Sequence, residues 1–137
     1  MWKMLRSGLV VLGLVATFFV VGAGPADAST RCSGWKQVGA FRERTCVTHE
    51  SSSRIRHRIY VQNLSGRSAT VQVTAFSYIN GQTSVCKSAV RNTFAAHQTR
   101  SWSCTTVRVK KYTYFTRGYV VKPGGGNVGV DSPKITG

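Results

Sequence analysis

The feature that most constrains the fold is a two-residue alternation of apolar and polar side chains, which continues along most of the chain beyond Cys32. Such alternation is typical of strands that bury one face, and the frequent Val, Ile and Thr residues favour the same conformation. Apolar residues do not keep helical spacing over several turns in this part of the chain. The pattern therefore predicts an all-β fold. The predicted strands are Gln37–Phe41, Glu43–Glu50, Arg54–Asn63, Ala69–Tyr78, Val85–Phe94 with a break, Ser101–Val109 and Tyr112–Val121.

Turn-forming residues separate the predicted strands. The sharpest signal is Asn80-Gly81, because a type I′ hairpin turn needs positive φ angles that Asn and Gly adopt readily. Weaker signals lie at 51–53, 63–66 and 95–98. About seven strands within roughly ninety residues favour a single antiparallel β-sandwich.

Three segments in the middle of the chain resemble the bacterial immunoglobulin-like sandwich. They are Ile59–Ser65, whose strand ends in Asn-x-Ser, Ala69–Val73, and Ala96–Trp102, in which a small turn leads into a strand with an aromatic residue. His97-Gln98 stands where that pattern usually has Pro-Gly. The size, arginine content and export signal also resemble small exported proteins of high-GC Gram-positive bacteria. The resemblance implies an immunoglobulin-like sandwich of adhesion or accessory type, and it carries over no functional residue.

The start of the chain has the three parts of a secretion signal in the correct order. Lys3 and Arg6 give a positive start, an uncharged and mostly apolar stretch follows, and small residues up to Ala28 complete a cleavage site. We therefore expect a signal-peptide helix over residues 1–28, secretion by the general route and cleavage after Ala28. The alternative is an uncleaved membrane anchor, since the apolar stretch approaches the roughly 20 residues that span a bilayer.

Cleavage would leave one small, strongly basic domain. Residues 29–121 are expected to form the β-sandwich domain, and residues 122–137, which begin with a Gly- and Pro-containing stretch, a flexible C-terminal tail. Loss of Lys3, Arg6 and Asp27 with the signal leaves 17 basic and three acidic residues, a net charge of +14. Such an excess seeks anions, which outside the cell are anionic envelope polymers, lipid headgroups, acidic polysaccharide and nucleic acid. Membrane insertion is expected only if the signal stays uncleaved.

Four cysteines, Cys32, Cys46, Cys86 and Cys104, lie in the predicted domain and indicate two disulfides in an oxidising compartment. Of the three possible pairings we favour Cys32–Cys46 and Cys86–Cys104, because each closes a hairpin-sized loop around a turn candidate. The cysteine and histidine spacings match no zinc pattern. We therefore predict no metal site and no cofactor.

The most informative local pattern is three arginines at every second position of a predicted strand. Alternation places Arg54, Arg56 and Arg58 on one face, with Tyr60, and puts His57 on the opposite face among apolar neighbours. Residues on the same face lie roughly 6.6 to 7 Å apart, close to the phosphate spacing of an extended polyanion. Guanidinium groups suit phosphate and carboxylate. The alternative is a solvated strand face that keeps the protein soluble and its edges unpaired.

A second basic stripe is predicted further along the chain. It would run through Arg108, Lys110, Tyr112 and Tyr114 and mix charge with aromatic rings, as nucleic-acid and glycan surfaces do. The candidate polyanion-binding residues are thus Arg54, Arg56, Arg58, Arg108 and Lys110. We expect the other aromatic residues to form the core of the sandwich. They are Trp35, Phe41, Phe76, Phe94, Trp102 and Phe115.

The sequence favours a non-enzymatic binding or accessory protein that engages an anionic partner. A glycosidase needs two carboxylates facing one bond, whereas the predicted domain and tail contain three acids, of which Asp131 lies in the tail. A Gly-x-Ser-x-Gly elbow is absent from the sequence. The alternatives are a small secreted basic enzyme or toxin such as a ribonuclease, and an inhibitor of another secreted protein. A ribonuclease would draw its acid–base pair from Glu43 or Glu50 with His49, His57 or His97.

Overall fold

The computed structural model describes residues 29–121 and 127–137, which form ten strands and no helix. The predicted signal peptide, residues 1–28, lies outside the described residues. No helix in the described ranges is long and apolar enough to cross a membrane. The strands are β1 (Thr30–Cys32), β2 (Lys36–Val38), β3 (Phe41–His49), β4 (Arg54–Asn63), β5 (Ala69–Ile79), β6 (Gln82–Phe94), β7 (Thr99–Val107), β8 (Thr113–Val121), β9 (Asn127–Asp131) and β10 (Ile135–Thr136).

The strands make two antiparallel sheets, which confirms the predicted all-β, two-sheet architecture. Sheet A has the order β1-β3-β4-β7, with β2 also paired to β3. Sheet B has the order β10-β8-β5-β6, with β9 also paired to β8. The predicted bounds of β4 are those of the structure, and the predicted break in β6 corresponds to two register shifts in its pairing with β5.

The core lies between the sheets and follows the two-residue alternation. On β4, Ile55, His57, Ile59 and Val61 are buried, while the residues between them lie on the outer face. Nine buried side chains from both sheets form the main apolar cluster. They are Val38, Phe41, Ile59, Val61, Val71, Val73, Ala75, Phe94 and Val120.

The predicted aromatic core is correct only in part. Phe41 and Phe94 are buried and pack edge to face at 5.4 Å between ring centroids, and Trp102 packs beside them. Trp35 is 37% exposed. Phe76 and Phe115 lie on the outer face of sheet B, because the side chains next to them in sequence are the ones that point inward.

The last residues of the chain belong to sheet B, so the prediction of a flexible tail is wrong for residues 127–137. β9 pairs with β8 along its whole length, and β10 pairs with the start of β8. Ile135 is 5% exposed and packs in a second apolar cluster. The guanidinium of Arg117 also donates to both oxygens of Asp131, at 2.5 and 2.6 Å. Apolar burial and this bidentate contact hold the segment in place. Residues 122–126 lie outside the described ranges.

Both predicted disulfides are present, and the described part of the chain has no free cysteine. Cys32–Cys46 joins facing residues of β1 and β3 within sheet A. Cys86–Cys104 joins β6 of sheet B to β7 of sheet A. The second bond therefore links the two sheets and does not close a hairpin, because the chain crosses between sheets in the β6–β7 connection.

The predicted second stripe does not form. β7 ends at Val107, and the chain then turns through Lys110 and Lys111 before β8 begins. Tyr114 is fully buried, where its hydroxyl accepts a hydrogen bond from the Val109 amide at 2.7 Å and donates one to the Val107 carbonyl at 3.0 Å. Alternation along β8 turns this ring toward the core, away from the basic residues.

Candidate functional site

The outer face of sheet A carries five arginines on two neighbouring strands, and we call it the arginine face. Alternation turns the arginines of β3 and β4 outward, because the residues between them are buried in the core. The β3–β4 pairing then aligns the two rows, with Arg44 opposite Tyr60 and Thr48 opposite Arg56. The five residues are Arg42, Arg44, Arg54, Arg56 and Arg58.

Two of these arginines were missed by the sequence analysis. Arg42 and Arg44 have the same alternate spacing as the β4 row, which is a local signal. The predicted strand began at Glu43 and so left out Arg42, and the sequence alone does not give the register that sets Arg44 of β3 beside β4. The pairing doubles the row into a surface two strands wide.

Aromatic rings lie between the arginines and hold them in place. The guanidinium carbons of Arg42 and Arg44 lie 4.6 and 4.8 Å from the centroid of the Trp35 ring. Arg44 and Arg58 lie 4.9 and 5.7 Å from the centroid of the Tyr60 ring. We call this series, Arg42, Trp35, Arg44, Tyr60 and Arg58, the arginine–aromatic ladder. Each such cation–π contact contributes about 0.5 to 1 kcal/mol at an exposed site, which offsets part of the repulsion between the cations.

A row of hydroxyl groups borders the arginines on β7. The outward residues of this edge strand alternate with inward ones and lie directly opposite the β4 row, with Ser103 facing Arg58 and Thr105 facing Arg56. Hydroxyls donate and accept hydrogen bonds, so they complement the donor-only guanidinium groups. The exposed members of the row are Thr99, Ser101, Ser103 and Thr105.

A shallow pocket of about 220 Å³ lies within the arginine face. Its floor includes Cys46, whose short side chain leaves a depression between longer neighbours. Arg56 and Arg58 line it together with the hydroxyl-bearing Thr30, Thr48 and Tyr60, and with Glu50. Glu50 forms an ion pair with Arg56. The pocket therefore presents one neutralised guanidinium, one uncompensated guanidinium and several hydroxyls.

The structure brings together three of the five predicted site residues and separates the other two. Arg54, Arg56 and Arg58 share the arginine face, as predicted. Arg108 lies in the turn after β7, where its backbone amide and guanidinium donate to carbonyls of the preceding β3–β4 turn, at 2.9 and 3.3 Å. Lys110 is exposed in the β7–β8 turn and lies outside the strand face.

The outer face of sheet B is aromatic in character. Tyr78 and Phe115 stack with ring centroids 4.3 Å apart, and Phe76 contacts Tyr119 edge to face at 6.0 Å. Arg117 covers the stacked pair, at 5.0 Å from the Tyr78 centroid and 5.7 Å from that of Phe115. These rings therefore contact one another and a cation, and do not form a flat open row.

The residues considered for an acid–base pair do not meet in the described part of the chain. Among residues 29–121 and 127–137, no hydrogen bond or ion pair joins a histidine to a carboxylate. His57 and Glu43 both point into the core, but their positions differ by four residues along β4, since Glu43 pairs with Val61. His49 accepts from or donates to the Ser29 hydroxyl at 2.7 Å and donates to the Thr136 carbonyl at 2.9 Å.

Two buried ionisable groups have strongly shifted pKa values. Burial lowers the pKa of His57 from 6.5 to about 4. The His57 ring lies 3.0 Å from the hydroxyls of both Thr116 and Thr106. The Thr116 hydroxyl donates its own proton to a backbone carbonyl, so it accepts from His57. A neutral imidazole that donates to Thr116 and accepts from Thr106 therefore satisfies all three hydrogen bonds. Burial raises the pKa of Glu43 from 4.5 to about 7, and the Val120 amide and the Lys36 charge offset only part of this effect.

Comparisons with known proteins leave the function open. No protein-family model matches the chain, and no curated protein matches it. The crystal structure of a β-glucosidase from Kluyveromyces marxianus in complex with glucose is similar at a TM-score of 0.37 and 6% sequence identity. The similarity covers 80% of this chain and 14% of that one. A likeness this slight supports no conclusion about fold or activity.

Proposed function

We propose that this protein is a secreted, non-enzymatic binding protein that engages an anionic polymer through the arginine face. The observation that carries the proposal is the alignment of Arg42 and Arg44 on β3 with the arginine row on β4. Neighbouring strands lie about 4.8 Å apart and same-face residues roughly 6.6 to 7 Å apart, so the cations form a compact grid. A grid of this kind attracts an extended polyanion far more strongly than the same charges dispersed over the surface.

The distribution of acids supports the same proposal. Of the three acids in residues 29–137, Glu43 is buried in the core and Asp131 is bound to Arg117 on the other sheet. Glu50 is the one carboxylate at the edge of the arginine face, where it pairs with Arg56. Most of the guanidinium charge on this face is thus available to an anionic ligand.

The proposal includes an immunoglobulin-like type for the sandwich, and the strand order supports it. Counted from β3, the first, second and fifth strands share sheet A, and the third, sixth and seventh share sheet B, as strands A, B, E and C, F, G do. The fourth strand, β6, lies beside β5 in sheet B, in the sheet where variable-type domains have C′ and constant-type domains do not have D. Tyr114 near the start of the sixth strand bonds back to Val107 and Val109, as in a tyrosine corner. Two positions later, Thr116 bonds His57 of the second strand, where antibody domains have a disulfide between the same strands.

The place of action in this proposal is outside the cytoplasm, after cleavage at Ala28. Two disulfides fit an oxidising compartment. An anionic envelope polymer is the partner that such a location and such a face favour over a lipid headgroup, because the cations are arranged for an extended chain and not around one headgroup.

The test compares two triple variants of equal charge loss. Arg44, Arg54 and Arg58 are replaced with Gln, which leaves the Arg56–Glu50 pair intact, and the control replaces the exposed Arg67, Arg91 and Lys110 with Gln. Binding of the secreted protein to single-stranded phosphodiester chains is measured by fluorescence anisotropy between about 50 and 200 mM salt.

The face variant should bind far more weakly than the control. Each lost phosphate contact lowers the slope of log affinity against log salt by about 0.7 for a single strand, so the face variant should lose about 2 from the slope while the control keeps it. Equal losses in both variants would show that net charge alone drives association. Cleavage of RNA by the wild-type protein, abolished by removing one histidine, would establish the ribonuclease alternative.

A further inference from the structure

The rings on the arginine face already have guanidinium groups over them, and this limits what the face can recognise. We infer that its ligand is a base-free phosphodiester polymer, of the poly(polyol phosphate) kind, bound through its phosphates and hydroxyls with no contribution from nucleobases. This inference rests on the proposed function, since it names the class of polyanion that the arginine face takes.

The ladder geometry argues against base stacking. Proteins that bind single-stranded nucleic acid without sequence preference use open aromatic faces as stacking platforms. Here Trp35 has Arg42 and Arg44 within 4.8 Å of its ring centroid, and Tyr60 has Arg44 and Arg58 within 5.7 Å. A base would have to compete with an arginine for either ring.

Displacement of an arginine would also cost a phosphate contact. Arg44 lies over both rings, so its guanidinium is held by two aromatic neighbours at once. Arg58 is held over Tyr60 and also donates to the Tyr60 hydroxyl at 3.2 Å. The rings therefore orient the phosphate-binding groups, and a base that took their place would weaken the contact that brings the polymer to the face.

The remaining groups on the face suit a polyol phosphate. A three-carbon polyol phosphate has as many backbone atoms between successive phosphates as a nucleotide, so its phosphates match the roughly 6.6 to 7 Å spacing of alternate strand residues equally well. The hydroxyl row of β7 lies one strand away from Arg56 and Arg58. Ser103 and Thr105 can exchange hydrogen bonds with polyol hydroxyls and phosphate oxygens, which a nucleobase would not require.

The experiment compares two labelled probes of equal length and charge. One is oligothymidylate of about 12 nucleotides, within the site size of small binding domains, and the other is the corresponding abasic phosphodiester. Fluorescence anisotropy at low salt measures both dissociation constants for the wild-type protein. We expect the two constants to agree within about twofold, whereas stacking of a single base would make the thymidylate bind about 5- to 150-fold more tightly.

Variants separate the role of the ring from a general loss of binding. Trp35→Ala changes a 37% exposed ring in the β1–β2 connection, and Tyr112→Ala removes a 39% exposed ring in the β7–β8 turn as a matched control. Trp35→Ala should weaken both probes by the same factor, because it loosens Arg42 and Arg44 and removes no stacking platform. Tyr112→Ala should change neither probe.

The outcomes distinguish failure of the inference about a base-free polymer from failure of the proposed function on which it rests. Equal binding of both probes, with a common loss in Trp35→Ala, supports the inference. Tighter binding of thymidylate by fivefold or more, lost selectively in Trp35→Ala, would overturn the inference in favour of single-stranded nucleic acid and leave the proposed function standing. Failure of both probes to bind at low salt would overturn the proposed function itself.

Discussion

Replacing Glu43 with Gln is expected to turn a nearly flat dependence of stability on pH into a steep one. Glu43 is fully buried, and burial raises its pKa from 4.5 to about 7. As pH rises above 4.5 the unfolded chain releases this proton, whereas the folded chain keeps it until about pH 7, so the folded state loses stability through that window. At about 1.4 kcal/mol per pH unit, the loss reaches roughly 3 kcal/mol.

His57 has the opposite effect. Burial lowers its pKa from 6.5 to about 4, so below pH 6.5 the unfolded chain takes up a proton that the folded chain does not accept. The folded state then loses roughly 3 kcal/mol as pH falls through that window. Between pH 4.5 and 6.5 the two slopes are similar in size and opposite in sign, so these two groups together leave the wild-type stability nearly constant.

The Glu43→Gln variant keeps only the histidine effect. Its free energy of unfolding should fall by about 2 kcal/mol between pH 6.5 and 4.5, while that of the wild type changes little. The buried Gln amide shifts the stability at every pH, but it does not titrate and so leaves the slope intact. Urea unfolding followed by tryptophan fluorescence, with the disulfides oxidised, measures both profiles.

The matched variant His57→Gln should behave in the opposite way, with stability that falls as pH rises from 4.5 to 6.5. The wild type lies between the two variants because it contains both groups. Parallel pH profiles of the wild type and Glu43→Gln would refute the reasoning, since they would mean that Glu43 titrates alike in the folded and unfolded chains.

Two further predictions concern the links that hold the sandwich together. Replacing Cys86 and Cys104 with Ser should lower the free energy of unfolding by about 2 to 5 kcal/mol, and unchanged thermal stability would contradict the importance of the inter-sheet disulfide. Tyr114→Phe keeps the ring but leaves the Val107 carbonyl and the Val109 amide without their partner. It should cost about 1 to 3 kcal/mol and speed hydrogen exchange at Val109, and an unchanged exchange rate would contradict this prediction.

Local alternation was enough to predict the strands that position the site. The segment Arg54–Asn63 combines alternate arginines with alternate Ile and Val, and only one parity of that pattern buries the apolar residues. The strand bounds and the placement of His57 on the inward face followed from that parity alone. The two disulfide pairs were predicted from the short loops that they close around turn candidates, and that reasoning gave the wrong geometry for Cys86–Cys104, which joins the two sheets.

The sequence of β8 did not indicate which of its two faces is buried, because both faces carry aromatic residues. Tyr114 points inward and Phe115 outward, yet either parity would bury a large ring. The parity in the structure places Gly118 at a close contact between the sheets, where a Cβ atom would lie 2.5 Å from the Ile59 side chain and 2.8 Å from that of Thr45. A larger side chain on the inward face at this position would force Ile59 and Thr45 to move, and the local sequence does not contain that information.

Long-range pairing accounts for the other differences. β9 is a five-residue strand that contains Gly129 and depends on β8 for its hydrogen bonds, so the sequence around it has the composition of a loop. The width of the arginine face likewise depends on the β3–β4 register, which sets Arg44 opposite Tyr60. Residues that are distant in sequence decide both features, whereas composition and spacing report only on near neighbours.

Both outer faces of the sandwich have contacts between cations and aromatic rings, but the ratio of cations to rings differs between them. On the arginine face three of the five guanidinium groups lie over Trp35 and Tyr60, and Glu50 neutralises one of the other two. On sheet B Arg117 lies over the stacked rings of Tyr78 and Phe115, and its charge is balanced by Asp131. The first face therefore keeps most of its charge, while the centre of the second is nearly neutral. The arginine face thus combines closely spaced guanidinium groups with little compensating negative charge, and under the proposed function we expect an extended polyanion to lie across β3, β4 and β7.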